Sequence, residues 1–299
     1  NKIKTTKTYP KTMKKVNWNE VLIRCSCIGK IMTEGKGTVL TEKQAELLES
    51  LQNKEKITDK QSITLAELIA KRDAPPTLSD TCTSYLREVY QYHRYGKESV
   101  GGAQRSVAVK KGNLCEEESI MLLSRFFGAN FTKNTERKNG SHTTGEADIV
   151  WHDTKQSLDT KSVWDMESLL SHVPNPEKKD VLLYDRDYEW QGMGYMDLWN
   201  LDSHILCYTL VNMPVEIIES EKWKIYKAMN PATELEPDYL KAIEKLENNC
   251  TFDEIPIHER VITFTFERDD EMIRKFKAKI EDCRIWLEKF EKSHLSLHK

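Results

Sequence analysis

The chain of 299 residues is 38% hydrophobic and 31% charged and carries a formal net charge of −3, values ordinary for a soluble, highly charged globular protein. That length can bury a sizeable core as one large domain or two small ones. No apolar run approaches the length of a membrane span, and the basic N-terminus lacks the apolar segment of a signal peptide, so a cytoplasmic protein without membrane contact is expected.

Seven cysteines, an odd number without regular spacing, fit reduced thiols better than a disulfide framework. The net charge conceals a division. Residues 1–115 hold 21 Lys/Arg against 12 Asp/Glu, and the remainder holds 24 against 36. A basic surface suits a polyanion partner and acids gathered elsewhere suit metal ions, although either half also reads as a well-solvated surface.

Residues 1–16 carry six lysines and no acid and read as a flexible basic arm. "VLIRCS" (21–26) predicts a short strand, after which Ser26 is placed to cap a helix through "CIGKIM". Amphipathic helices are predicted near 41–54 and 64–72, and the "DAPPT" break separates them from another at 79–95. That helix interleaves Tyr85, Arg87, Tyr90, Tyr92, His93, Arg94 and Tyr95. Such a stripe can stack on bases and touch phosphates, but packing against a neighbouring element is the preferred reading.

A helix is predicted from Gly112 to Phe127, followed by a hairpin whose strands lie within 145–164 and by an irregular loop holding Pro174 and Pro176. Then come a helix near 187–200, the strand "HILCYTLVNM" (204–213), a charged helical stretch at 219–248, the strand "RVITFTFE" (260–267) and a C-terminal helix over 269–293. The pattern predicts an α/β chain with a central mixed sheet flanked by helices. No repeat, low-complexity tract or convincing linker divides it, so a single domain over 1–299 is expected.

The hairpin places acids where apolar groups belong. Strand periodicity puts Ala147, Ile149 and Trp151 on one face and Glu146, Asp148 and Val150 on the other, while Asp159, Lys161 and Val163 share a face of the second strand. A turn at 152–156 brings Asp148 beside Asp159 or Thr160. On the preceding helix Glu116, Ile120, Leu123 and Phe127 form one stripe, with Glu118, Leu122 and Arg125 on a more exposed flank.

Burying uncompensated carboxylates costs several kcal/mol or shifts their pKa until they protonate, and a hard divalent cation such as Mg²⁺ removes that cost. Lys161 can offset one charge. The bland alternative is a buried Lys–Asp pair stabilising the hairpin, with Glu146 exposed and Glu116 capping a helix.

Glu116, Asp148 and Asp159-Thr160-Lys161, in that order, resemble the PD-(D/E)XK nuclease signature, and most closely the phage lambda exonuclease and YqaJ-like viral recombinase branch. "GNLCEEESI" (112–120) is similar to that branch's G-x-x-x-E helix, "TGEADIV" to its strand with the central aspartate, "LDTKSVW" to its (D/E)-x-K strand and "QGMGY" (191–195) to its Q-x-x-x-Y helix. "RCSCIGKIM" (24–32) is a weaker match to its N-terminal serine motif. The resemblance spans roughly residues 20–213. Ala147 stands where the proline of the family's name would be.

The resemblance implies a restriction-endonuclease-like core with added N- and C-terminal helices, and metal-dependent hydrolysis of DNA from its ends, 5′ to 3′ on duplex, in phage-type recombination or replication. Glu116, Asp148, Asp159 and the Thr160 carbonyl would bind Mg²⁺, with Mn²⁺ as substitute, and Lys161 would position the nucleophile or stabilise developing charge. Gln191 would hold a water or phosphate beside the site, with Tyr195 one turn on near the DNA. Arg24, Ser26, Lys30 and Lys36 would meet a 5′ phosphate.

Two isolated cysteines after Gln191, beyond Cys207, lack the spacing of an iron–sulfur site, so no cluster is expected. DNA is the implied partner. A single-strand annealing or recombinase protein and a homo-oligomer are admitted, and a phage-encoded protein would work in the host cytoplasm. An endonuclease or junction resolvase on the same core, or an inactive DNA-binding protein, are the alternative readings.

Overall fold

The computed structural model describes residues 15–35, 40–54, 56–73, 77–99, 106–178 and 181–297. In chain order its helices are α1 (Ile28–Met32), α2 (Glu42–Gln52), α3 (Asp59–Asp73), α4 (Asp80–Tyr95), α5 (Val107–Leu114), α6 (Glu116–Phe127), α7 (Met166–Leu170), α8 (Arg186–Trp199), α9 (Val215–Met229), α10 (Pro237–Asn249) and α11 (Asp270–Ser296). Its strands are β1 (Ile23–Arg24), β2 (Lys138–Asn139), β3 (Thr143–Gly145), β4 (Ile149–Trp151), β5 (Gln156–Ser162), β6 (Ser203–Thr209) and β7 (Val261–Glu267). Two compact units result, one of Asn1–Val21, Gly29–Glu98 and Lys275–Lys299, the other of Leu22–Ile28 and Ser99–Arg274.

The first unit is helical. The Ser79 hydroxyl caps α4 by accepting the Cys82 amide, and Gly96 closes the helix in the left-handed region that glycine reaches without strain. The aromatic stripe of α4 is divided: Tyr85 and Tyr90 are buried, the Tyr90 ring stacking on Trp18 at 5.2 Å and meeting Phe290 edge-on at 5.0 Å, whereas Tyr92 and Tyr95 are exposed. Leu48, Leu51 and Leu68 bury the seam of α2 with α3. The expected basic arm falls almost wholly outside the described residues.

The second unit holds both sheets. β4-β5-β6-β7 is mixed: β4 runs antiparallel to β5, β5 parallel to β6 and β6 antiparallel to β7. A smaller sheet has the order β1-β3-β2. Alternation sorts the larger sheet's faces. Leu158, Ile205 and Cys207 join Ile120, Leu122 and Leu123 of α6 in one core. Hydroxyls cross that layer, Thr209 Oγ1 donating to Ser119 Oγ at 2.9 Å and Ser119 lying 2.8 Å from Ser162. On the opposite face Ser157, Asp159 and Lys161 of β5 meet α8.

α8 approaches that face closely because it carries glycines there. A Cβ on Gly192 would fall 2.5 Å from His204 Cδ2, and one on Gly194 would fall 2.6 Å from Ile28 and 2.9 Å from Cys25 Sγ. The closeness expected of "QGMGY" is therefore a packing requirement. His204 itself is fully buried, bonded to Ser157 at 2.8 Å, and burial lowers its pKa to about 4, so it is neutral.

Several expected elements are differently bounded. The strand through 145–151 is two: β3 ends at Gly145, and residues 146–148 cross to the larger sheet before β4 begins. Asn134 pins that crossing, its side-chain amide donating to the Ala147 carbonyl at 2.9 Å and its backbone amide to the Asp148 carbonyl at 2.8 Å. The helix from Gly112 is two helices meeting at Cys115. Leu122, expected on an exposed flank, is buried. The stretch 219–248 breaks because Pro231 and Pro237 cannot continue a helix, with Asn230 at φ 46° between α9 and α10. The loop after the hairpin contains α7, capped by Asp165.

Ser26 does not cap a helix. Cys25–Cys27 is a 3₁₀ turn and α1 begins only at Ile28, because Cys25 and Ile28 must both turn inward.

Where β5 ends, Lys111 of α5 supplies buried donors: its ammonium gives hydrogen bonds to the carbonyls of Val163 at 2.6 Å and Trp164 at 2.8 Å. Burial lowers its pKa. Lys111→Met removes the donors and strands two carbonyls, a loss expected to lower unfolding stability by roughly 2–4 kcal/mol in a urea titration. An unchanged urea midpoint would mean that these bonds are not needed.

Candidate active site

β5 runs on to Ser162 while β4, its antiparallel neighbour, starts only at Ile149 opposite Leu158. On the β4 side the amide of Thr160 therefore has no strand to pair with. Asp148, the residue before β4, fills the gap: its Oδ2 accepts the Thr160 amide at 2.7 Å and the Thr160 hydroxyl at 3.1 Å. The register that brings this about also sets Asp159 opposite Asp148.

Asp159 is 3% exposed. Its Oδ1 accepts the Gln191 side-chain amide at 3.0 Å, and its Oδ2 is ion-paired to the Lys161 ammonium. Gln191 also donates to the Tyr195 hydroxyl at 2.9 Å, a bond made possible by their spacing of one turn on α8. Tyr195, expected near DNA, is buried behind Gln191 and orients it instead. Tyr188, on the same side of α8, lays its ring 4.7 Å from the Lys161 ammonium.

The electrostatics reflect a half-buried acid, Asp148, set beside a buried one, Asp159. Burial, and then the charge of Asp159, push the Asp148 carboxyl up to about 7 against the opposing pull of Lys161 and the Thr160 amide. Burial works against the Lys161 ammonium, but the charges of Asp159 and Asp148 outweigh it and its pKa is raised. Near neutral pH the Asp148 carboxyl is thus only partly ionised, and a cation could displace its proton.

Glu116, at the first turn of α6, is tied to Lys133 at 2.6 Å, and its charge reaches Asp148 as a minor upward push. Among the described residues no three His, Cys, Asp or Glu side chains converge as a formed metal cage. The donors that do meet are carboxylate oxygens beside the Thr160 backbone, and Mg²⁺ takes one or two carboxylates while keeping several waters. The residues fit such an ion through Asp148 and Asp159.

Arg24 and Ser26 are exposed in β1 and the turn after it. Lys30 belongs to the helical unit, with its ammonium 5.7 Å from the Tyr85 ring, and Lys36 lies outside the described residues. Tyr188 and Lys133 were missed in the sequence. Tyr188 is visible as the residue one turn before Gln191 on a helix face; Lys133 lies in a segment without periodicity and carries no such signal.

No protein-family profile matches the sequence, and no curated protein does. Solved structures do. The fold is similar to that of a phage related exonuclease from Haemophilus somnus 129PT, with a TM-score of 0.57 and 22% identity over 92% of this chain and 97% of that one. It is also similar to an alkaline exonuclease (LHK-Exo) from Laribacter hongkongensis, at 0.49 and 11% over 94% and 98% respectively. The mixed α/β fold with helix-flanked sheets is therefore one that a phage related exonuclease also has.

Proposed function

We propose that this chain is a metal-dependent deoxyribonuclease of the PD-(D/E)XK type that degrades duplex DNA from its ends, 5′ to 3′. The observation that carries the reading is the placing of the half-buried Asp148 beside the buried Asp159, with Lys161 bonded to Asp159. A structural ion pair needs one acid and one base. Here a second acid is held beside the first at the cost of being half protonated near neutrality. The fold similarity to a phage related exonuclease supports the same reading.

In this proposal Asp148, Asp159 and the Thr160 carbonyl hold Mg²⁺ or Mn²⁺, with Glu116 able to join by leaving Lys133. The ion, when bound, supplies Lewis-acid polarisation of the scissile phosphate and a nucleophile at neutral pH. Lys161 directs its ammonium at the attacking oxygen and at the charge that develops on the phosphate. Gln191 fixes Asp159 in the rotamer that faces Asp148. Arg24 and Ser26 are the candidate contacts for a terminal 5′ phosphate.

Digestion of end-labelled linear DNA beside closed circles, with and without Mg²⁺, tests the reading. Loss of linear DNA alone, abolished by EDTA, is expected; circle cleavage would favour an endonuclease, and hydrolysis in excess EDTA would refute the metal. Ca²⁺ should allow binding with little cleavage, because its longer, looser coordination suits in-line attack poorly. Asp148→Ala, Asp159→Ala and Lys161→Ala should each abolish cleavage while the circular dichroism spectrum stays that of the folded protein. Full activity in either aspartate variant would sink the assignment.

The raised Asp148 pKa also predicts a pH dependence. Its folded value, about 7, lies above the ordinary 3.8, so the folded state binds the proton more tightly than the unfolded chain. Stability contributed by that proton is present at low pH and lost as pH rises towards and through about 7. The thermal midpoint in EDTA should fall across that window, and Asp148→Asn should flatten the fall. Equal slopes in the two proteins would show that Asp148 is not the group responsible.

A further inference from the structure

Tyr188, which borders the Lys161 ammonium, also lines an open cavity of about 450 Å³. Four aromatic rings line it, those of His172, Tyr184, Tyr188 and Tyr208, together with Leu182 and Asp185 among others. The His172 and Tyr208 rings stack at 3.5 Å and 16°, and Tyr188 meets Tyr208 edge-on at 6.5 Å. The cavity is held in shape. His172 Nδ1 donates to the Leu183 carbonyl at 2.6 Å, and Tyr184 packs on Phe264 and Phe266 at 5.1 and 5.0 Å.

We propose that this cavity is a stacking slot for the nucleobase next to the scissile phosphate, an inference that rests on the nuclease reading of the adjoining carboxylates. Three features select that occupant. The volume suits one small ligand rather than a helix or a strand. Flat π-faces bind any base without reading its edge.

The charge distribution gives the ligand a direction. Tyr188 is shared by the slot and the Lys161 ammonium, 4.7 Å away, so a base in the slot keeps its own phosphate at the cationic end. Asp185, which also lines the slot, disfavours a phosphate inside it. A terminal base must leave its partner to enter, so the slot favours ends whose last pair opens readily. Sequence dependence of cleavage should therefore follow pair opening more than base identity.

The test uses linear duplexes with 2-aminopurine at the 5′ end, or at the 3′ end, mixed with the full chain in EDTA. One of the two duplexes should lose fluorescence as its terminal base stacks. Tyr184→Leu and Tyr188→Leu should weaken that binding about tenfold or abolish the quench, the range expected for one lost base–aromatic stack. Tyr188→Phe keeps the π-face and should quench like the parent, which separates lost stacking from lost folding.

With Mg²⁺, an abasic residue at the quenched end should raise KM about tenfold, with a smaller change in kcat. If the parent protein degrades linear DNA but quenches neither probe, and cleaves abasic ends at the normal rate, the slot does not exist. Quenching by a parent protein that cleaves nothing in any metal would keep the slot and overturn the nuclease reading.

Discussion

Everything at the candidate site depends on β4 starting late. A strand as long as β5 needs hydrogen-bond partners along its length, and β4 pairs it only as far as Leu158. The Thr160 amide, left without a ladder partner, is satisfied by the Asp148 carboxylate, and that bond drags a second acid into a patch that already holds Asp159. Had β4 begun two residues earlier, its backbone would have taken the amide. Asp148 would then have been an ordinary strand residue facing one side of the sheet. The crossing at 146–148, pinned by Asn134, is thus what converts a structural hairpin into a charged site.

The same crossing marks the limit of what the sequence discloses. Alternation in "GEADIVW" and "LDTKSVW" reveals the hairpin and narrows the neighbour of Asp148 to Asp159 or Thr160, because both depend on local periodicity. It does not reveal that Gly145 ends one sheet and Ile149 starts another, since strand period is identical in both. That the Asp148 carboxylate takes the Thr160 backbone amide is a consequence of that break and so is equally hidden. Glu116 shows the opposite failure: its helical stripe is legible, but its partner Lys133 comes from a segment with no periodicity, and the ion pair could not be anticipated. The breaks at Cys115 and between α9 and α10 have different causes. Pro231 and Pro237 announce the second in the sequence, whereas nothing around Cys115 announces the first.

α8 is the element through which packing and chemistry meet. Gly192 and Gly194 forgo side chains so that the helix axis can come within reach of His204 and the Cys25–Cys27 turn. Glycine weakens a helix interior by roughly 1 kcal/mol per residue relative to alanine. That weakening is tolerable only because the helix is braced on both sides by buried residues, including Met193, Tyr195, Met196 and Trp199. The close approach is what lets Gln191 reach Asp159 at hydrogen-bonding distance; a helix seated further out by one methyl group would leave that carboxylate oxygen buried without a donor.

Once α8 is fixed at that distance, its phase determines the rest. Tyr188, Gln191 and Tyr195 fall on one side of the helix, at steps of three and four residues. The middle residue grips Asp159, the last braces the middle one, and the first covers the Lys161 ammonium. Lys161 is therefore held between a carboxylate and an aromatic face, an arrangement that keeps it charged in its half-buried position and limits the rotamers it can adopt. A lysine with freedom to swing away would neutralise Asp159 only part of the time. Confined in this way, its charge remains at the boundary between the acidic patch and the aromatic cavity, which is where a phosphate joined to a stacked base would have to lie.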